Sequence, residues 1–388
     1  MPKVTVPYVD FPEEFRRNKE SILSAVTAVL EKGDFILGDA VTQFEKEFAA
    51  ICNVKHAISV ANGTDAIILV LKALNIGAGD EVITASNSWI SSASAIALVG
   101  ATPVFADVES DQNISPTAIE KAITQRTKAI LPVHLTGRCA RMNEILAIAK
   151  KHGIPVIEDA AQAVTAEVNG VKAGAMGIAG CFSLHPLKNL NAVGDAGIIT
   201  TNDDELAHKL RLLRHHGLKN REEVEFWGYN SRLDTVQAAV LRSRLPNLKG
   251  YLQKRRENAR FYDEALRGCV RIPQDSSERP HTYHVYVIQT EHRDELKAFL
   301  QERGIETKVH YPIPIHQQKA AAYLKVPVGS LPVTEKQARE ILSLPIHPYL
   351  SAQQLQYVAD AIREFVNGKN LGRLGGREVQ QTAPAHLS

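Results

Sequence analysis

Between residues 56 and 215 the chain alternates short apolar runs with segments of helical periodicity. We predict strands at 57–61, 81–86, 103–108, 128–134, 154–158, 178–182 and 197–201. Helices of about ten residues separate most of these strands, and in one of them Met142, Ile145, Leu146 and Ala149 share a face. Such alternation is typical of parallel strands joined by crossover helices. The sequence therefore predicts an α/β fold with a mainly parallel sheet that helices cover on both faces.

The pattern changes near Pro246, which stands between a predicted helix at 235–245 and a long charged helix at 248–266. A chain of 388 residues is long for one hydrophobic core, so two domains are expected. We predict a large domain with an N-terminal segment at 1–245, a smaller α/β domain at 246–367, and a loose tail at 368–388.

The charge balance and the apolar runs exclude several classes of function. Lysine and arginine total 45 against 43 for aspartate and glutamate, a formal net charge of +2, which gives no electrostatic case for nucleic acid or an anionic membrane. No uncharged apolar stretch approaches the ~18 residues of a membrane helix, and the N-terminus lacks the apolar region of a secretion signal. The four cysteines have no metal-binding spacing. We therefore expect a cytoplasmic protein without a metal site, a nucleic-acid partner or a membrane partner.

One lysine follows the strand at 178–182, on a short loop with almost no other charge. Pro186 stops the strand because it has no N–H for the sheet ladder, and Lys188 comes two residues later. Burial disfavours an ammonium group and lowers its pKa, which favours the free amine that attacks aldehydes. Lys188 is therefore a candidate Schiff-base nucleophile. The competing interpretation is a solvated loop lysine.

Further polar residues follow other strands, at the sheet edge where ligands of such folds bind. Asn62-Gly63-Thr64-Asp65 opens a predicted helix, whose N–H groups can hold a phosphate. Asp159 ends a predicted strand and could charge-stabilise a protonated pyridine nitrogen, as pyridoxal phosphate requires, or simply cap a helix. Ser183 could bind the same phosphate. A polar turn at 228–234 is explained equally well as a capped helix start.

Six motifs occur in order along the chain. They are Asn-Gly-Thr-Asp-Ala at 62–66, Glu-Asp-Ala-Ala-Gln at 158–162, Ser-Leu-His-Pro-Leu-Lys-Asn at 183–189, Gly-Asp-Ala-Gly at 194–197, Asn-Ser-Arg-Leu-Asp at 230–234 and Tyr-Pro-Ile-Pro-Ile-His at 311–316. Together they resemble the sugar aminotransferases of the DegT/StrS family. The resemblance implies a fold-type I aminotransferase: a large domain with a mainly parallel seven-stranded sheet between helices, and a smaller C-terminal α/β domain. It also implies pyridoxal 5′-phosphate as the cofactor.

The resemblance assigns roles to residues of these motifs. Lys188 is expected to form a Schiff base with the cofactor and then to move a proton between the amino-acid Cα and the cofactor. Asp159 is expected to pair with the pyridine nitrogen, and Gln162 to bind the 3-hydroxyl. The other expected cofactor contacts are Trp89 on the ring face, Gly63, Thr64 and Ser183 at the phosphate, and Asn230, which in this family reaches the neighbouring subunit's cofactor. The resemblance therefore implies a homodimer with shared active sites.

Two places depart from the family's usual pattern. Members that act on nucleotide sugars often have His-Leu-Tyr-Gly-Gln where this chain has His134-Leu135-Thr136-Gly137-Arg138, and Arg138 could recognise a carboxylate or a phosphate. Near the lysine, Leu187 replaces a common glycine. The candidates for substrate contact are His185, His316, Arg138 and Tyr311. Polar loop positions for the histidines and a surface position for Arg138 are the competing interpretations.

The sequence thus predicts a transaminase that moves an amino group from an amino acid, L-glutamate by resemblance, to a keto or aldehyde carbon of a sugar. The expected acceptor is a nucleotide-linked keto-deoxyhexose for lipopolysaccharide, O-antigen or antibiotic sugars. The alternative acceptors are a free acidic sugar such as 8-oxo-3-deoxy-octulosonate, a keto-cyclitol and a sugar phosphate. A sugar dehydratase of the same family has histidine in place of the lysine, so Lys188 argues against it. A non-catalytic, pyridoxal-phosphate-binding regulator is the alternative of another class.

Overall fold

The computed structural model describes residues 5–378, with the side chains of 370–378 left out. The helices are α1 (Phe11–Lys32), α2 (Asp39–Cys52), α3 (Gly63–Ala73), α4 (Ser91–Leu98), α5 (Pro116–Ala122), α6 (Met142–His152), α7 (Asp204–Leu213), α8 (Thr235–Ala265), α9 (Arg293–Glu302), α10 (Pro332–Glu340) and α11 (Ala352–Glu378). The strands are β1 (His56–Val60), β2 (Glu81–Ala85), β3 (Thr102–Ala106), β4 (Thr127–Leu131), β5 (Ile157–Asp159), β6 (Glu167–Val168), β7 (Val171–Lys172), β8 (Ala179–Ser183), β9 (Gly197–Thr201), β10 (Tyr286–Gln289) and β11 (Ile341–Leu344).

Seven strands form one sheet in the order β1-β9-β8-β5-β4-β2-β3. Hydrogen-bonded ladders join β1-β9-β8-β5 and β3-β2-β4, and two parallel bridges, Ile130 to Val156 and Val133 to Asp159, connect the two ladders. Only β9 pairs antiparallel to its neighbours in this sheet. The β8–β9 connection contains no helix, so the chain returns alongside β8 in the opposite direction. The predicted α/β fold with a mainly parallel seven-stranded sheet is confirmed.

The two faces of the sheet bury separate hydrophobic cores. Successive side chains of a strand point to opposite faces, so Ile198 of β9 lies in one core and Ile199 in the other. Apolar faces of α2, α5, α6 and the first half of α8 fill the first core. Helices α3 and α7 fill the second. Strand ends between these layers are therefore rigid positions for functional side chains.

Helix α8 corrects the prediction at Pro246. The structure has one helix through this proline rather than two helices that it separates. Proline removes one helical hydrogen bond, but Leu248 and Leu252 pack into the same core as Leu241, so apolar burial holds the helix together across the interruption. Beyond this point Ala259 belongs to a third core, built with β10 and β11. The division into 1–245 and 246–367 remains a proposal, and the change of core within α8 supports a boundary between Leu252 and Ala259.

The predicted loose tail begins as helix. Helix α11 continues through residue 368 to Glu378, since no proline interrupts the chain until Pro384 and helical hydrogen bonding propagates once it is nucleated. Residues 379–388 lie outside the described part of the chain. Within residues 5–378, no helix is long and apolar enough to cross a membrane, and no three His, Cys, Asp or Glu side chains cluster as a metal site.

Candidate active site

A cavity of about 380 Å³ opens at the carboxyl ends of β1, β5 and β8. Of the residues predicted from the sequence as site residues, it is lined by Gly63, Thr64, Trp89, Asp159, Gln162, Ser183, His185, Lys188 and Tyr311. Apart from Trp89, these residues come from four of the six motifs, and together they span about 250 positions of sequence. Their convergence follows from the sheet, because parallel strands present their carboxyl ends at one edge.

Lys188 lies half-buried on the loop that follows β8. Its backbone N–H donates to the carbonyl oxygen of His185 over 2.8 Å, which closes a tight turn after Pro186. Burial lowers the pKa of the Lys188 ammonium to about 8, and the negative charge of Asp159 opposes this shift. Among the described residues, none forms a hydrogen bond or ion pair with its Nζ. The side chain is therefore an amine available for chemistry, not one half of a structural ion pair.

Asp159 is held rigidly at the end of β5. Its Oδ2 accepts a hydrogen bond from Ser92 Oγ over 2.7 Å, and its Oδ1 accepts one from the backbone N–H of Ala161 over 3.2 Å. The residue is only 4% exposed. Its donors are neutral, and no cation of the described residues lies within ion-pair distance of it. Such a buried carboxylate is suited to a cationic ligand group, such as a protonated pyridine nitrogen.

The N-terminus of α3 lies directly against β8. Asn62 caps the helix, since its Oδ1 accepts from the backbone N–H of Asp65 over 2.9 Å. A Cβ added to Gly63 would stand 2.8 Å from Cβ of Ser183, so only glycine permits this approach. Thr64 Oγ1 hydrogen-bonds to Ser91 Oγ over 2.8 Å. Helical N–H groups and hydroxyls thus meet beside the cavity, which is the donor set that a phosphate ester needs.

An aromatic and amide wall closes another side of the cavity. The rings of Trp89 and Tyr311 pack with centroids 5.6 Å apart, and Trp89 is 58% exposed. Gln162 is buried, and its Nε2 lies 3.5 Å from the Tyr311 hydroxyl oxygen. Burial raises the pKa of Tyr311, so its phenol is protonated at neutral pH. The wall offers an aromatic face and hydrogen-bond donors to a planar ligand.

Three predicted site residues are not among the cavity's lining residues. His316 is buried between Ser86, whose Oγ lies 2.8 Å from its Nδ1, and Glu335, 3.2 Å from its Nε2. Arg138 is buried too, 3.6 Å from Asp275, so it is not a surface arginine. Asn230 is exposed in the turn before α8. His185, which does line the cavity, is exposed, and its partial burial and Lys188 lower its pKa.

A second group of residues that line the cavity was not predicted from the sequence. Tyr8 comes from the N-terminal segment, Arg255 from α8, and His284, His310 and His347 from segments around β10 and β11. Burial lowers the pKa values of His310 and His347 to about 4, so both imidazoles are neutral at pH 7. None of these residues belongs to one of the six motifs. His310 only precedes the motif that begins at Tyr311. Single residues far apart in sequence gave no signal by which they could have been found.

The arrangement fits pyridoxal 5′-phosphate. The Gly63–Ser183 approach leaves room at the α3 N-terminus that a side chain would fill. Asp159 is a buried carboxylate that no cation of the described part of the chain pairs with, and Lys188 is a desolvated amine in the same cavity. An aldehyde, a cationic ring nitrogen and a phosphate are the three groups that these residues complement.

Comparisons with known proteins agree with this chemistry. A sequence model of the DegT/DnrJ/EryC1/StrS aminotransferase family matches residues 16–363. The chain is 46% identical to a pleiotropic regulatory protein of Geobacillus stearothermophilus, over 93% of this chain and 99% of the relative. It is 44% identical to the UDP-N-acetyl-3-dehydro-alpha-D-glucosamine 3-aminotransferase of Acidithiobacillus ferrooxidans, over 94% and 98%.

A solved structure gives the same answer for the fold. DesV of S. venezuelae, determined in complex with a ketimine intermediate, superposes with a TM-score of 0.91 at 42% identity, over 93% of this chain and 98% of DesV. The match includes both the seven-stranded unit and the C-terminal unit, because it covers nearly the whole length. The chain belongs to the DegT/DnrJ/EryC1/StrS aminotransferase family, whose cofactor is pyridoxal 5′-phosphate.

Proposed function

We propose that this aminotransferase moves the amino group of L-glutamate to a ring keto carbon of a nucleotide-linked sugar. The observation that carries the proposal is Lys188, a desolvated amine without a partner among the described residues, in one cavity with Asp159. The A. ferrooxidans relative is named for amination of C3 of a UDP-linked sugar, which supports C3 as the site of amination here. The product would serve surface polysaccharides such as lipopolysaccharide, or antibiotic sugars.

We assign the chemistry to this chain's residues as follows. Bound pyridoxal phosphate supplies an electron sink that acidifies the Cα–H of the donor. Asp159 keeps the ring nitrogen protonated, Gln162 donates to the 3-oxygen and Trp89 covers the ring face. Lys188 removes the proton from Cα as a general base, and returns a proton to the sugar carbon in the second half-reaction. Hydrogen-bond donors from Gly63, Thr64 and Ser183 hold the phosphate.

The active unit in this proposal is a homodimer. Ser231 donates to Asp65 Oδ2 over 2.6 Å, so the turn that carries Asn230 packs beside the α3 N-terminus. Asn230 is exposed and does not line the cavity of its own chain, and Trp227 in the same segment is 94% exposed. A large exposed aromatic beside an exposed amide is suited to a second copy of the chain. The four free thiols fit a cytoplasmic enzyme.

The departure from the family pattern at Arg138 does not weigh against a nucleotide-linked acceptor. Arg138, the sequence's candidate for recognising a carboxylate or a phosphate, is buried outside the cavity. His316, another candidate for substrate contact, is held by Ser86 and Glu335. His185 and Tyr311 line the cavity and remain the proposed substrate contacts.

A regulatory role is the second candidate, because the relative from G. stearothermophilus is named a pleiotropic regulatory protein. A binding protein needs the phosphate cradle and Asp159 but has no use for a desolvated amine. Catalysis and regulation therefore differ in what happens when donor is added to the cofactor-loaded protein.

The two half-reactions, followed separately, test the proposal. L-Glutamate should bleach the visible band of the lysine-bound cofactor, and a UDP- or dTDP-linked 3-keto sugar should restore it. Lys188→Ala should lose the band and at least about 10³-fold in rate, whereas Lys151→Ala, which changes an exposed lysine paired with Glu120, should match wild type. A band that no amino acid bleaches would support the regulator. If only 4-keto sugars or free acidic sugars restored the band, the acceptor would be reassigned to that class of sugar.

A further inference from the structure

Arg255 is a cation in the active-site cavity, and no carboxylate among the described residues forms an ion pair with it. Its Nη1 donates to the carbonyl oxygens of Tyr283 and His284 over 3.0 and 3.3 Å, which fixes the guanidinium against the segment before β10. Within residues 5–378 its Nε and Nη2 have no hydrogen-bond acceptor, and no carboxylate lies within ion-pair distance. Burial lowers the pKa of Arg255 to about 10, so it remains charged at neutral pH without a counter-ion.

Two carboxylates of the cavity, those of Glu14 and Asp159, already have partners. Glu14, whose charge acts on Arg255, accepts from Arg244 Nη2 and from Asn191 Nδ2, each over 3.0 Å. Asp159 is held by Ser92. A partly desolvated guanidinium left unpaired is unfavourable unless a ligand supplies the anion, and its planar donors suit a carboxylate in particular.

A second unsatisfied group, His284, lines the same cavity. His284 is influenced by the charges of Lys188 and Arg255, and its Nδ1 is buried without a hydrogen-bond partner among the described residues. Burial holds the pKa of His284 well below its usual range, so the ring is neutral. Arg255, His284 and Lys188 all line the one cavity. A charged donor and a neutral one thus lie on the side of the cavity toward the C-terminal unit.

We propose that Arg255, with His284 beside it, binds a carboxylate of the amino-acid donor. The inference rests on the proposed function. The donor must place its Cα at the position served by Lys188, so its carboxylates must lie inside this cavity. In a nucleotide sugar the hexose ring separates the reacting carbon from the diphosphate. Arg255 is a binding residue for the first half-reaction and is not needed for amination of a neutral sugar in the second.

Equilibrium binding and the two half-reactions together test this proposal on the cofactor-loaded enzyme. Glutarate, a dicarboxylate that lacks the amino group, reports binding without reaction by calorimetry. Arg255→Gln should weaken glutarate binding and slow the glutamate half-reaction by about 10- to 100-fold, with Arg255→Lys intermediate. The acceptor half-reaction, started from enzyme loaded with pyridoxamine phosphate, should change by less than about threefold.

Arg256 supplies the matched control. It is the next residue of α8 and also ties a carbonyl oxygen of the same segment, that of His281, over 3.1 Å, but it does not line the cavity. Arg256→Gln should bind glutarate like wild type. If it weakens binding as much as Arg255→Gln does, both arginines only brace the segment and the proposal fails. If Arg255→Gln slowed only the acceptor half-reaction, the proposal would also be overturned, because the anion that Arg255 binds would then belong to the nucleotide sugar.

Comparison of L-glutamate with L-glutamine, which lacks the side-chain charge, shows which carboxylate of the donor Arg255 binds. Equal losses of rate in Arg255→Gln with both donors assign the α-carboxylate. A loss with glutamate alone assigns the side-chain carboxylate. Wild-type enzyme that does not react with any amino acid would refute the proposed function itself. Wild-type enzyme that reacts, with Arg255→Gln unchanged, would refute only the carboxylate site.

Discussion

The backbone N–H of Thr136 donates a hydrogen bond to Oε1 of Gln162 over 2.7 Å. This contact fixes which way the Gln162 amide faces, so its Nε2 points to the cavity and the Tyr311 hydroxyl. Thr136 has a positive φ of 64°. Its Oγ1 lies 3.0 Å from Nε2 of neutral His281, whose Nδ1 accepts from the N–H of Tyr283, so the imidazole donates to the threonine.

Gln162→Glu tests this orientation. The carboxylate still accepts from Thr136 but has no N–H to donate to the cofactor's 3-oxygen, and loss of one charge-assisted hydrogen bond lowers kcat by about 10- to 100-fold. Thr136→Gly is the control, since glycine keeps the N–H and adopts a positive φ readily. Its kcat should stay within about threefold of wild type. An inactive Thr136→Gly with an active Gln162→Glu would contradict the assignment.

The pH dependence of cofactor loading tests the Lys188 amine. Only the neutral amine attacks the aldehyde, and the pKa of about 8 means that its fraction rises about tenfold per pH unit up to pH 8 and then levels off. A lysine at the ordinary value of 10.5 would keep rising to that pH. Stopped-flow absorbance of apoenzyme mixed with pyridoxal phosphate measures this midpoint. Because Asp159 raises the pKa of Lys188, Asp159→Asn should move the midpoint to lower pH.

The strand positions and the site motifs could be predicted because each depends on local sequence. Alternating apolar runs determine strands, and residues at strand ends meet wherever the strands are parallel, so Asp159, Ser183 and Lys188 were placed correctly in one cavity. Helix α8 could not be predicted, because the effect of Pro246 on its helix depends on packing by Leu248 and Leu252 that no local pattern reveals.

The substrate contacts were harder to predict for the same physical reason. His316 and Arg138 stand next to recognisable motifs, yet long-range partners decide their positions: Glu335 for His316 and Asp275 for Arg138. Arg255 belongs to no motif and reaches the cavity because α8 runs from the first hydrophobic core to the third. Polarity in sequence identifies a residue that needs a partner, but not whether that partner is protein or ligand.

The contact between α3 and β8 predicts a steric effect on cofactor binding. Gly63→Ala places a Cβ 2.8 Å from Cβ and 3.2 Å from Cα of Ser183, so the helix terminus must shift. We expect affinity for pyridoxal phosphate to fall by about tenfold or more and the free energy of unfolding by about 1–3 kcal/mol. Gly250→Ala is the control: Gly250 lies exposed in α8 with open space around it, so stability should rise by about 0.5–1 kcal/mol. Absorbance titration and thermal melting report the two quantities.

Subunit mixing tests whether Asn230 completes the neighbouring active site. Lys188→Ala removes the amine of its own cavity, whereas Asn230→Ala is expected to damage only the cavity of the other subunit. Each variant homodimer should therefore be impaired at both sites. A heterodimer of the two concentrates both defects in one site and leaves the other intact, so random reassortment of equal amounts should restore about one quarter of wild-type activity.

Additive activity of the separate variants, without recovery after reassortment, would mean that Asn230 serves its own chain or no site. Analytical ultracentrifugation of Asn230→Ala checks that the dimer itself persists, because an exposed amide beside Trp227 contributes little to the free energy of association compared with the aromatic ring.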